Sequence, residues 1–174
     1  MTIRKIITEP DILLRKKSDP IEKFDKSLKA LMDDMLETMY EAPGIGLAAI
    51  QVGVLRRVVV IDLSKDGEKN NPLYLVNPEI IHRSEKMAIY EEGCLSLPGQ
   101  FAEIQRPSEC HVKYLDYTGN QKELKADGLL STCIQHEVDH LDGILFIDYL
   151  SKLKKDFIIK KLSKQKKDIE RIVV

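Results

Sequence analysis

The run His136-Glu137-Val138-Asp139-His140 constrains this chain more than any other stretch, because its spacing writes out half of a metal site. Residues four apart on an α-helix lie one above the other on one face, so two imidazoles there can share a single cation. Glu137 follows the first histidine directly, where a carboxylate can reach water at a metal without itself being a ligand. A catalytic site of this kind needs three protein ligands and one open position, so the fold must bring a third donor to the helix. His82, His111, a carboxylate or a cysteine could supply it. Cys94 is the best placed, in Glu91-Glu92-Gly93-Cys94-Leu95-Ser96-Leu97-Pro98, at an expected strand end followed by a turn. Cys110 and Cys133 read as small buried hydrophobes.

A chain of 174 residues is long enough to build a full hydrophobic core without disulfide or metal staples, and one domain over 1–174 is expected. With 43% hydrophobic and 32% charged residues it has a soluble globular composition, and a net charge of -1 argues against DNA as a partner. No apolar run approaches the roughly 18 residues of a membrane span. The opening Met1-Thr2-Ile3-Arg4-Lys5 leads to an acid and a proline where a signal peptide would need an apolar stretch. Three scattered cysteines suit a reducing cytoplasm.

The small net charge conceals an asymmetry. Residues 151–174 hold nine Lys or Arg against three Asp or Glu, while the remainder holds 18 against 25. Leu150, Leu153 and Phe157 recur at helical spacing, which predicts a helix docked by that stripe with a lysine-rich outer face. Such a face is either simply solvated or a contact for a polyanion such as RNA.

Along the chain, residues 11–16 suggest a short helical turn. Residues 24–40 carry a helical face of Leu28, Leu31, Met32, Met35, Leu36, Met39 and Tyr40. Pro43 and Gly44 break that helix, and Gly44-Ile45-Gly46-Leu47-Ala48-Ala49-Ile50-Gln51 begins a segment whose glycines permit close backbone approach. Strands are expected over 57–63, 73–81, 88–92, 102–105 and 110–117, with a polar loop over 64–71. Gly128 opens the helix that carries both histidines, and Gly143 ends it. The fold class is α+β: a central metal-binding helix packed on largely antiparallel sheets, with a C-terminal helix.

Taken together, three segments resemble the peptide deformylases, metallohydrolases that remove the formyl group from the N-terminal formylmethionine of new bacterial polypeptides. The family motifs G-x-G-x-A-A-x-Q, E-G-C-x-S and H-E-x-D-H stand here as Gly44 to Gln51, Glu92 to Ser96 and His136 to His140, in the family's order and spacing. The resemblance runs over nearly the whole chain. It implies that Cys94, His136 and His140 bind one divalent ion with water as the fourth ligand, and that Glu137 is the acid and base. The ion implied is Fe2+, with Zn2+, Ni2+ or Co2+ as substitutes. By the same resemblance the Gln51 amide and the Leu95 backbone N–H face the formyl oxygen. Ile45, Gly46 and Gly93 meet the substrate backbone, and Leu129, Thr132 and Cys133 line an apolar pocket for the methionine side chain. Thr132 departs from the aliphatic residue of many relatives. Phe101 stands where some carry an arginine near the pocket mouth.

The implied partners are N-formylmethionyl nascent peptides, bound strand-like and read weakly beyond the first residue. A weak ribosome contact through the basic C-terminal helix is also implied, with no membrane and no DNA, in a bacterial cytoplasm. Arg106 is a candidate outer support for Glu92, and Asp139, Glu92 and Asp142 are candidate acceptors for the ligand imidazoles. Two other readings account for fewer residues. A metallopeptidase would leave the cysteine motif unexplained, and a binding module with a structural metal would be expected to show four protein ligands.

Overall fold

The structure, a computed structural model, describes residues 2–65 and 68–172, with side chains through 168. Of the polar loop expected over 64–71, residues 66 and 67 therefore lie outside the described residues. Helix α1 spans Lys26–Glu41 and starts where the Asp25 side chain accepts a hydrogen bond from the Leu28 N–H. Strands β1 (Gly46–Ala48), β2 (Val58–Ile61) and β3 (Leu73–Arg83) follow. Next come β4 (Met87–Gly93), β5 (Phe101–Pro107), β6 (Glu109–Leu115) and β7 (Gln121–Asp127). Helix α2 (Gly128–Leu141) and helix α3 (Lys152–Ile172) complete the order, with short 3-10 turns at Ile12–Arg15, Ala49–Val52 and Phe146–Tyr149.

Every strand pair is antiparallel. Five strands form one sheet in the order β1-β2-β3-β6-β7, and β4 and β5 form a separate ribbon. The architecture is the α+β class that the sequence pattern indicates. In β2, all four residues Val58, Val59, Val60 and Ile61 are buried, because the sheet is covered on both faces. Val58 and Val60 pack with Leu28, Met32, Met35 and Met39 of α1. Val59 and Ile61 pack with Ile134, Val138 and Leu141 of α2. The metal-motif helix is thus clamped against the sheet rather than laid on the surface.

Two expectations fail. Strand β7 does not emerge from the sequence, because Gln121-Lys122-Glu123-Leu124-Lys125-Ala126-Asp127 is mostly charged and turns only Leu124 and Ala126 inward. It is an edge strand, where charge guards against unwanted pairing. The expected docking stripe of the C-terminal helix is also wrong. Leu153 and Phe157 are 82% and 69% exposed, and Leu150 is half-buried just before the helix. The inward face carries Lys155, Ile158, Ile159 and Leu162, with Ile158 and Leu162 packed on Leu97, Ile104, Phe146 and Ile147. Asp148 sets that rotation: it accepts from Lys155 Nζ at 2.5 Å, from Arg15 Nη1 at 2.6 Å and from the Leu145 N–H at 2.8 Å.

Candidate functional site

Helix α2 departs from ordinary amphipathicity because it buries Ser131, Thr132, Gln135, His136, Glu137 and His140 together. Burying a polar side chain is costly unless it finds a partner. Gln135 finds one in Ser131 Oγ at 3.0 Å and in the Pro107 carbonyl at 2.9 Å. His136 Nδ1 lies 2.8 Å from Glu92 Oε2, across from the end of β4. Two atoms do not: Glu137 Oε2 and His140 Nδ1 are buried without a hydrogen-bond partner.

The two histidines lie one turn apart, their rings 4.9 Å between centroids and edge to face. The end of β4 delivers Cys94 beside them, its Sγ 3.2 Å from His140 Nε2. One donor atom from each of Cys94, His136 and His140 falls within 4.8 Å of the other two, a cluster that could hold a metal ion. His82 and His111 instead face one another across β3 and β6, ring centroids 5.0 Å apart, and do not join it.

Behind the cluster stands a buried ionic network. Arg106 on β5 grips Glu92 with two bonds, Nε to Oε1 at 2.6 Å and Nη2 to Oε2 at 3.0 Å, and gives Nη1 to Asp139 at 2.7 Å. Tyr149 closes it, donating its hydroxyl to Asp139 at 2.8 Å while the guanidinium sits 4.7 Å over its ring. Burial raises the Glu92 carboxyl, but hydrogen bonds from His136 and Arg106 outweigh that and hold it below its ordinary value. The candidate support role of Arg106 is therefore realised. Asp139 serves the arginine rather than an imidazole, and Asp142 pairs with Arg57 away from the cluster.

Burial is the main influence on the titrating groups of α2. It pushes the Glu137 carboxyl up to about 7, with Glu92 and Asp139 adding to the rise and His136 and Arg106 opposing it. It holds the His140 imidazole well below its usual value, helped by the nearby positive groups. For His136 burial acts downward too, but Cys94 and Glu92 carry the imidazole well above its usual range. The Cys133 thiol is raised first by burial and then by the carboxylates of Glu137 and Glu92.

A cavity of about 410 Å³ opens above these groups. Its walls include Gln51, Cys94, Leu95, His136 and Glu137 at the base, and Ile45, Gly46, Gly93, Leu129, Thr132 and Cys133 around the sides. The residues implied as metal ligands, acid and base, formyl-oxygen donors and pocket walls thus meet at one place, with His140 beneath the wall at 1% exposure. Tyr90, Glu91, Pro98 and Gly99 also line the cavity and carry no motif of their own. Only their adjacency to Gly93-Cys94 could have found them.

Two local details fix this geometry. A Cβ on Gly46 would stand 2.5 Å from Glu137 Oε1 and 2.9 Å from Cys133 Sγ, so β1 reaches the carboxylate only because that position is glycine. Gln51 is held at both ends. Its Oε1 accepts from the Ala48 N–H at 2.8 Å, and its Nε2 donates to Ser96 Oγ at 3.1 Å and faces Cys94 Sγ at 3.5 Å.

The sequence model of the polypeptide deformylase family matches residues 3–156. The chain belongs to that family. A peptide deformylase from Pelagibacter ubique is 61% identical over 174 residues, covering 100% of both chains. One from Phenylobacterium zucineum is 56% identical over 167 residues, 96% of this chain and 99% of its own. The crystal structure of peptide deformylase from Ehrlichia chaffeensis superposes with a TM-score of 0.91 at 43% identity, covering 96% of this chain and 98% of that one. The family fold therefore extends across the cluster, the cavity and most of the α3 helix.

Proposed function

We propose that the Cys94, His136 and His140 cluster is the metal centre at which this enzyme removes the formyl group from N-formylmethionyl nascent peptides, releasing formate. The observation that carries the reading is one sulfur and two imidazole donors within 4.8 Å of each other at the base of a cavity, with an unpartnered Glu137 oxygen beside them. The donor set fits a soft divalent ion. Three donors leave a position open, where a structural site would close it with a fourth. An ion held there supplies Lewis acidity and makes water nucleophilic near neutral pH. Fe2+ is the native ion in this reading, with Zn2+, Ni2+ or Co2+ able to substitute, and the sulfur ligand makes the ferrous form sensitive to oxygen.

The chain's own residues do the rest. Glu137 takes a proton from the attacking water as its oxygen bonds to the formyl carbon, and returns it to the nitrogen as the carbon–nitrogen bond breaks. The products are formate and a peptide with a free amino terminus. Gln51 Nε2 and the Leu95 backbone N–H receive the negative charge that develops on the formyl oxygen. Gln51 needs no reorganisation, because Ala48 and Ser96 already fix its amide. Glu92 fixes the His136 tautomer, and Arg106 fixes Glu92.

The methionine side chain occupies the apolar wall of Leu129, Thr132 and Cys133, while Ile45, Gly46 and Gly93 meet the peptide backbone. Support for peptide binding in this fold comes from two solved relatives. A peptide deformylase from Ehrlichia chaffeensis is in complex with actinonin, with a TM-score of 0.90 at 45% identity covering 95% of this chain and 98% of that one. A class I type b peptide deformylase from Acinetobacter baumannii is bound to Met-Ala-Ser, with a TM-score of 0.81 at 33% identity over 86% of this chain and 99% of that one.

Residues 1–174 act in this reading as one domain, working in the bacterial cytoplasm. No helix among the described residues is long and apolar enough to cross a membrane. The exposed lysines of α3, among them Lys160, Lys161, Lys164 and Lys167, make a weak, salt-sensitive ribosome contact. Reversing their charge should abolish that binding while leaving peptide turnover intact. The reaction itself is tested with a formyl-Met peptide, its acetylated analogue and an internally extended one. Formate from the first and no cleavage of the others is expected. Cleavage of an internal amide would overturn the assignment.

A further inference from the structure

A second concavity, about 640 Å³, lies between the start of β5 and the root of α3. It is lined by Phe101, Ala102 and Glu103 on one side and by Leu150, Leu153, Lys154, Phe157 and Ile158 on the other. Leu153 and Phe157 are the residues that the helical pattern sends inward and the structure leaves in solvent, and Phe101 is itself 66% exposed. Large exposed side chains standing together mark a surface with a partner. Phe101 identifies which one. Its ring belongs to the wall of the candidate active-site cavity as well, where it lies so close to Gly93 that a Cβ there would meet Cε1 at 2.5 Å. The two concavities are thus separated by one phenyl ring.

We infer that this groove takes the substrate chain downstream of the residues held in the catalytic cavity, and that it prefers apolar side chains there. The inference rests on the deformylase reading and extends it. A polypeptide entering the cavity by its N-terminus must leave over the rim, and Phe101 is the rim residue that opens on an apolar surface. Beyond it, β5 pairs with no strand but β4 among the described residues, so its outer edge near Phe101 keeps backbone groups available to an extended chain. At about 3.3 Å per extended residue, crossing the ring takes on the order of two to three residues. The groove therefore reads roughly the fourth to seventh residues of the substrate. Glu103 and Lys154 place one charge of each sign at its side, so the preference comes from the apolar side chains.

Two formyl-Met peptides test this, one of three residues and one of ten with leucine and phenylalanine at its fifth and sixth positions, on wild type and Leu153→Ser/Phe157→Ser. Wild type should show a KM for the long peptide lower by roughly three- to tenfold, the scale of one partly buried apolar side chain. The double variant should lose that advantage with kcat, and turnover of the short peptide, unchanged. Both substituted side chains are exposed, and retained metal content and circular dichroism would show that the fold survives. A benzophenone at the sixth residue of the long peptide gives a readout independent of kinetics: crosslinking to 150–158 is expected. An unchanged ratio of the two KM values, or crosslinks confined to Ile45 and Leu129, would overturn the inference. So would loss of ribosome co-sedimentation by the variant with the ratio intact, which would assign the groove to the ribosome. Failure of wild type to release formate from the short peptide would instead remove the deformylase reading beneath it.

Discussion

Helices α2 and α3 break the usual inside–outside pattern in opposite directions. Helix α2 buries six polar side chains, including two histidines and a glutamate, while α3 leaves Leu153 and Phe157 in solvent and buries only Ile158 and Leu162 among its residues through 168. Each violation costs stability and each sits at a cavity, one over the cluster of Cys94, His136 and His140 and one beside it. In α2 the cost is offset by partners: Gln135 by Ser131 and Pro107, His136 by Glu92, and Glu92 by Arg106. In α3 the two side chains stay exposed among the described residues. What this teaches is that departures from the expected pattern mark where the surface or the interior is reserved for something other than the chain itself.

The comparison breaks most readily at Arg106, the residue on which the burial of α2's polar groups depends. Arg106→Ala leaves the buried Glu92 and the half-buried Asp139 without their counter-charge, and should cost about 3–5 kcal/mol in urea unfolding. Unfolding unchanged from wild type would show that the polar face of α2 needs no ionic backing. Gly46→Ala sharpens the same point on the side of chemistry. The new methyl displaces the Glu137 carboxylate, and a shift of about 1 Å should lower kcat by on the order of 100-fold with little change in melting temperature. A kcat within twofold of wild type would contradict the close approach of β1.

A paired substitution then contrasts the two faces of α3. Leu162→Ala, at the packed face, should destabilise by about 2–3 kcal/mol, whereas Leu153→Ala should fall within about 0.5 kcal/mol of wild type. Equal losses would place the docked stripe where the bare helical pattern puts it. The smallest effect is one of pH. Burial raises the Asp148 carboxyl, but hydrogen bonds from Lys155 and the Leu145 N–H, with the charge of Arg15, hold it below its ordinary value. A carboxyl lowered on folding contributes stability that is fully present above its unfolded value and is lost as pH falls through the folded one. Asp148→Asn should therefore flatten part of the stability loss below pH ~3.8 and leave the slope between pH 6 and 8 untouched.

Much of the site was legible in the sequence because its parts are local. The four-residue spacing of His136 and His140, the glycines ahead of Gln51 and the strand-end Cys94 each declare geometry within a few residues. The α1 face and strand β2 were equally plain, since buried residues there recur at one period or run without interruption. Less visible were features that depend on distant partners. Arg106 could be suspected, but nothing in its neighbourhood shows that it also holds Asp139 and stacks on Tyr149. The rotation of α3 followed the same rule: Leu150, Leu153 and Phe157 form a sound stripe, and only the ties of Asp148 to Arg15 and Lys155 turn a different face inward. Strand β7 was missed because an edge needs charge more than it needs alternation.

The central claim is a division of labour, in which Cys94, His136 and His140 hold the ion and Glu137 moves the proton. Anaerobically purified, iron-loaded wild type and Glu137→Ala should be compared for bound metal and for formate released from a formyl-Met peptide. The account predicts one equivalent of metal in both proteins and a fall in kcat of about 100- to 10,000-fold in the variant, the usual worth of a positioned acid and base. A metal-loaded variant that turns over like wild type would contradict it.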